Sequence, residues 1–439
     1  MAQPQHFGWF LSRGFGPQGW GSPAWEWGYE WQRPALYQQS VRELEQAGLD
    51  LVIVEDAISA GLPDTLDLRV RGAYGGPKHD PVALTPYLLG ATEHIGIVPT
   101  VNVASYLPYV AARQFASLHH LSDHRVGINV VTDVGSARHL GLDPIAHDAA
   151  YDRADEWTSG LRELWRSWGD GALIADPVSG RFADATHIET VQHRGEYFSF
   201  DGPLNAIPFA GGGDPIVVSP GGSPRGIDFA ATHSDVQLAL ASLDIGTVRA
   251  YREKVTNAAA RHGRAGKIRT LFVFKPQIVS SVEEAERVVA ASLHPSEEAL
   301  RRIALGHSSD METDLTGLDL DRPLDPSIFG QHVSQGSIAW LRGGFDSFDG
   351  VPLREILGQH ARLGRIADRA GYVGTAEEIA DFIEELGDDA DNDGFIFSGD
   401  FHPVTVHRYL DELVPVLRRR GILRREYPGG GARANLFDF

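Results

Sequence analysis

Cysteine is absent from this 439-residue chain. Disulfides, thiolate-bound zinc, iron–sulfur clusters and thiol catalysis are therefore excluded. Lysine is nearly absent: Lys78, Lys254, Lys267 and Lys275 are the only four, and arginine supplies the rest of the positive charge. Arginine suits phosphate or carboxylate recognition, although genome composition explains the bias equally well. Positive charge is short altogether, leaving a formal net charge of −20. A nucleic-acid partner needs a basic face, so none is expected; an anionic membrane surface is disfavoured for the same reason. No apolar run reaches the roughly 18–20 residues that a membrane helix needs. The opening MAQPQHFGWFLS lacks the basic start and long apolar core of a secretion signal. The expectation is a cytoplasmic protein with no membrane contact. A metal signature is missing too. His119 and His120 are adjacent and point to different sides of a helix, no H-E-x-x-H occurs, and His124, His139, His147, His307 and His402 are scattered.

What is present is a rhythm. Short apolar segments, mostly β-branched or aromatic, occupy residues 6–12, 49–55, 94–103, 126–132, 215–219, 235–241, 269–279 and 394–398. Helical spacing of apolar residues follows at 37–47, 82–92, 110–121, 151–168, 225–232 and 246–262. Eight strands alternating with helices predict an α/β protein, a (β/α)8 TIM barrel in which ligands sit at the carboxyl ends of the strands. The whole chain, 1–439, reads as a single barrel domain with insertions after strands 4 and 7. The first, about 169–213, holds HRGEYFSFDGPL, which reads as a hairpin; the second, about 294–365, is long enough for a lid. Thr375 and Glu378 form a capping box, Ser223-Pro224 reads as an N-cap with proline at the first helical position, and the Gly429–Gly431 run reads as a loose tail.

Four constellations could carry chemistry. The first is Ser219-Pro-Gly-Gly-Ser-Pro-Arg-Gly226, a strand end opening into a helix. Its glycines let backbone N–H groups approach an anion, and the helix start adds partial positive charge. A tight, well-capped turn explains the same residues. The second is Asn129, Thr132 and Asp133 at the end of strand 4, with Tyr151 downstream. These groups could meet a heterocycle and a phosphate, or satisfy barrel-mouth backbone and core packing. The third is the aromatic block Trp20, Trp25, Trp27, Tyr29 and Trp31, which could wall an apolar pocket or cover an interface. Glu26 and Glu30 lie within it, and paired carboxylates beside tryptophans also suit a glycosidase. The fourth is Glu55-Asp56 at the end of strand 2, a ligand or base on one reading and a buried loop-orienting acid on the other.

Several motifs in fixed order then carry a resemblance. They are Tyr106-x-Pro-Tyr109, Ala112-Arg113, Asn129-Val-Val-Thr132, Tyr151-Asp-Arg-Ala-Asp-Glu156, His193-x-Gly-Glu-Tyr197, Gly221-x-Ser223-Pro-Arg-Gly226, Asp393-Gly-Phe395 and Val414-Pro-Val-Leu-x-x-Arg-Gly421. Along its whole length the chain resembles the bacterial luciferase-like flavin monooxygenases. Within them it is most similar to the branch of nitrilotriacetate, dibenzothiophene sulfone and long-chain alkane monooxygenases.

The resemblance implies FMN, used reduced and supplied by a separate NAD(P)H-dependent flavin reductase, with O2 and a small organic molecule as substrates. By position it places flavin-phosphate contacts on Tyr151, after strand 4, and on Gly222 and Ser223 in the loop that starts at Gly221. Ring contacts fall on Asp56, Asn102 and Asn129, with Thr132 and Asp133 close by. His307 or Tyr106 is the expected proton donor or acceptor, and Trp20, Trp25 and Trp27 the expected substrate wall. The aromatic block and the scarcity of lysine tilt the substrate towards an apolar or aromatic one. Family habit is a homodimer or homotetramer. The chain departs from the pattern in Ser219-Pro220 for Gln-Ala, in Asp133 for serine, and in lacking the early H-G-x-W-R-H segment. A deazaflavin-dependent oxidoreductase and a non-catalytic flavin-binding protein are the competing readings; the strand-4 block fits FMN better.

Overall fold

The apolar segments are continuous rather than alternating because each strand is buried on both faces. In the computed structural model, which describes residues 3–12, 30–61, 66–73, 75–209, 213–330, 333 and 335–438, all eight become barrel strands. They are β1 His6–Leu11, β2 Leu51–Val54, β3 Gly96–Asn102, β4 Gly127–Val131, β5 Ile216–Pro220, β6 Val236–Ala239, β7 Arg269–Phe274 and β8 Gly394–Gly399. Each pairs in parallel with its sequence neighbours, and β8 closes the ring on β1. The expected seventh strand is shorter than 269–279 because Pro276 cannot donate to a ladder; Gln277–Ile278 pairs instead with Val373–Gly374.

One face of each strand fills the barrel. Leu51, Ile53, Val98, Ile216, Val218, Leu238, Leu271 and Ile396 form this inner core. Glycines make room for them: a Cβ on Gly8 would lie 2.6 Å from Ile396 Cδ1, and one on Gly127 2.6 Å from Ile216 Cγ1. The other face, with Phe7, Trp9, Val52, Val101 and Phe397, packs under the helices. These are α1 Pro34–Ala47, α2 Pro81–Leu89, α3 Pro108–Leu121, α4 His147–Trp165, α5 Pro224–His233, α6 Ile245–Arg261 and α7 Ala376–Ala390. Proline opens α1, α2, α3 and α5, where its missing N–H costs nothing. The Thr375–Glu378 capping box is formed at α7.

Between β4 and β5, Gln192–Arg194 pairs antiparallel with Ser199–Asp201, and Leu173–Asp176 with Arg181–Ala183. Between β7 and β8, helices Glu297–Ser308 and Leu353–Ala361 share a hydrophobic cluster of their own, including Leu300, Met311 and Ile356. This segment reaches the loop after β2 through Arg71 and Asp314, 2.9 Å apart. The carboxyl-terminal residues are not a loose tail: helix Gly431–Phe437 buries Ala432 and Leu436 in the inner core. Their methyl groups cover apolar side chains that the barrel's amino end would otherwise leave in water. None of the described helices is long and apolar enough to cross a membrane.

Candidate functional site

The anion cradle sits where β5 meets α5. Gly221 has φ +120°, a conformation side chains rarely adopt. A Cβ there, or on Gly226, would collide with the Tyr151 hydroxyl, so both glycines are needed for α4 to present that group. Ser223 caps α5 by accepting the Gly226 N–H at 3.0 Å. This leaves its own proton free to donate to an anion. Two residues that sequence reasoning missed support the loop from beneath. Gln237, fully buried on β6, donates to the Gly221 carbonyl at 3.1 Å and to the Tyr251 hydroxyl at 3.3 Å. A Cβ on Gly222 would sit 3.5 Å from that same Tyr251 hydroxyl. Burial raises the Tyr151 pKa, against a Thr132 hydrogen bond and the Arg225 charge, so Tyr151 remains a neutral phenol donor. The glycine cradle, serine cap and phenol together fit a phosphate.

The Tyr151–Glu156 motif divides its work. Asp152 and Asp155 hold Arg225, the loop's arginine, which turns away from the cradle towards α4; Arg225–Asp152 is 2.8 Å. Glu156 accepts the N–H groups of Tyr197 at 2.9 Å and Phe198 at 2.7 Å and faces His193 at 3.1 Å. A Cβ on Gly195 would overlap this carboxylate. Thus the His193–Tyr197 motif is the hairpin's anchor to α4.

Beside the cradle a cavity of about 430 Å³ opens at the mouth, lined by Glu55, Asp56, Arg69, Thr132, Asp133 and Pro220 among others. Asp133, placed here on a flavin contact, instead spends its carboxylate on its own loop: it accepts Gly135 N–H at 2.9 Å and the Ser136 hydroxyl. Asp133 thus behaves as a turn-former. Asn102 holds the same loop, donating to the Asp133 carbonyl at 2.9 Å and accepting Ala104 N–H at 3.0 Å. Asn129 is buried, donates to Thr100 Oγ1 at 2.8 Å and keeps Oδ1 without a hydrogen-bond donor among the described residues. It is thus available to a ring N–H.

The carboxylates after β2 meet a lysine that the sequence did not single out. Lys78 is buried, 2.7 Å from Glu55 and 3.5 Å from Asp56. Burial outweighs this cation and, with Glu55 and Asp80, pushes the Asp56 carboxyl up to about 6. Tyr106 donates to Asp80 at 3.4 Å, and burial, then Asp80, pushes its phenol up to about 12. His307 lies in the insertion, its ring 4.6 Å from that of His360. Burial, then the His360 charge, lowers it to about 4, and it does not line the mouth cavity. Trp20, Trp25, Trp27, Glu26 and Tyr29 lie outside the described residues; Glu30 is exposed. Among the described residues no cluster could hold a metal.

The profile of a family described as luciferase-like monooxygenase matches residues 6–390. The dibenzothiophene-sulfone monooxygenase of Rhodococcus erythropolis is 32% identical, over 91% of this chain and 89% of its own length. Nitrilotriacetate monooxygenase component A of Aminobacter aminovorans is 31% identical over the same shares, 91% and 89%. Among solved structures, a riboflavin lyase with modified FMN and its substrate riboflavin is similar at a TM-score of 0.76 and 27% identity, covering 100% of this chain and 96% of that one.

Proposed function

The chain belongs to the luciferase-like monooxygenase family. From that premise we propose that its barrel mouth binds reduced FMN, delivered by a separate NAD(P)H-dependent reductase, and that it places one atom of O2 into a small organic substrate. The observation that carries this reading is the cradle of Gly221, Gly226, Ser223 and the Tyr151 hydroxyl. When bound, reduced flavin supplies the oxygen chemistry, and the protein supplies position and surroundings.

Ser223 and the first turn of α5 hold the phosphate, and Tyr151 donates to it as a phenol. Asn129 Oδ1, buried and open, orients the ring by accepting an N–H. Tyr106 keeps its proton beside Asp80, and Asp56, its carboxyl raised by burial to about 6, can take up or release one close to neutral pH. Asp56 lines the mouth cavity and Tyr106 faces Asp80 beside it, whereas His307 packs against His360 in the insertion, so the proton-holding role goes to these two. Residues 294–365 act as the lid that excludes water, which the family chemistry requires; their contact with the β2 loop through Arg71–Asp314 supports that role.

Titrating oxidised FMN by fluorescence tests the cradle. Tyr151→Phe should weaken binding about 10–150-fold, the worth of one hydrogen bond to a charged group. Gly221→Ala should weaken it more, through strain and the Tyr151 collision. Single turnovers with reduced FMN, 18O2 and a panel of sulfones, amines and hydrocarbons test the reaction. Unchanged FMN affinity in both variants overturns the cradle; no 18O in any product overturns the monooxygenase.

A further inference from the structure

A second cavity, about 780 Å³, lies on the other side of the mouth, between the ends of β7 and β8 and the last residues of the insertion. Its floor reaches Ser398 on β8, four strands around the ring from Asn129 on β4. Its walls are largely apolar: Ile278, Val279, Val288, Leu363, Tyr372 and Val404. Three of these, Leu363, Tyr372 and Val404, are 39–44% exposed, so a ligand there would remove apolar surface from water.

At the rim stand two cations, Lys275 and Arg362, both exposed. Neither forms an ion pair with any described residue. Of the other charges at this cavity, Arg408 pairs with Glu412 at 2.9 Å, and Glu284 keeps its negative charge while accepting Ser280 N–H at 2.8 Å, so the two rim cations outnumber it. One of only four lysines, in a chain of net charge −20, thus joins an arginine to make a locally positive edge over an apolar cleft.

We propose that this cleft is the substrate's binding subsite and that the substrate is an amphipathic organic anion, a hydrophobic ring or chain carrying a carboxylate or sulfonate. The anionic end meets Lys275 and Arg362, and the apolar body lies along Leu363 and Val404 towards Ser398. This refines the apolar substrate expected from composition, and it rests on the monooxygenase reading above.

Calorimetric binding of naphthalene-2-sulfonate, naphthalene-2-carboxylate and the neutral methyl naphthalene-2-carboxylate to the full chain tests the proposal. At least one anion should bind ten-fold or more tighter than the ester, and the preference should shrink at high salt. The Lys275→Gln, Arg362→Gln double variant should lose that preference, and Val404→Asp should lose both classes of ligand. Thermal melts show that the variants fold. Equal affinity for anion and ester, or an undiminished preference in the double variant, overturns the proposal. So does self-association of the chain that occupies the cleft with no small-molecule binding. FMN titrations run in parallel keep the two readings apart. The rim variants should bind FMN normally, whereas wild-type protein that binds the anion but no flavin fails the flavin reading and leaves the cleft's own chemistry to stand on its binding data.

Discussion

Single side chains at the mouth set its proton inventory. Asp56 is held neutral further up the pH scale than a free carboxyl, from 3.8 to about 6, chiefly by burial. The folded state therefore binds more protons than the unfolded state between these values. The stability that this contributes is complete below pH ~4 and lost as pH rises through ~6. Asp56→Asn, neutral throughout, should match wild type near pH 4. At pH 8 it should be more stable by roughly 1–2 kcal/mol, the two-unit shift being discounted for solvent screening. Urea midpoints at the two pH values check this, and a variant destabilised at pH 8 would mean that the Lys78 contact dominates instead. Asp56 was legible in the sequence as a carboxylate at a strand end. Lys78 was not, because it comes from a loop 22 residues later and only the barrel brings it to Asp56.

Elements are tied to the barrel by a few polar anchors whose motif spacing is readable but whose purpose is not. The Glu156 carboxylate binds two backbone N–H groups and His193, and so fixes the hairpin of Gln192–Arg194 and Ser199–Asp201 on α4. Glu156→Ala should leave those N–H groups without their acceptor. Amide exchange at 192–201 should accelerate ten-fold or more while barrel-strand amides stay protected. Uniform acceleration across the barrel would show that the anchor serves the whole fold instead. The capping box at α7 and the Ser223 cap were readable directly, since a cap is made by residues three apart and needs nothing distant. The hairpin anchor joins residues about forty apart, so the sequence showed both motifs and could not show that they meet.

At the scale of the molecule, the barrel has a reactive end and a sealed end. The carboxyl-terminal helix closes the latter with Ala432 and Leu436. Leu436→Ala should cost about 2–4 kcal/mol in urea unfolding, as large-to-small changes in a packed core do, with FMN affinity unchanged because the cradle is at the opposite end. A loss under 1 kcal/mol would mean that the helix is an ornament to the fold. The sequence by itself determined the strands, their order and the start of the helix at Ser223: apolar runs must be buried, a serine–proline pair starts a helix, and strand carboxyl ends gather at one mouth. Only the tertiary structure decided where the polar groups of that mouth point. It turned Asp133 into its own loop, set Arg225 on α4, placed Lys78 against Asp56 and put two unpaired cations on an apolar cleft. The reason is physical: burial follows from composition along the chain, whereas a hydrogen bond or ion pair depends on which distant segment arrives within 3–4 Å.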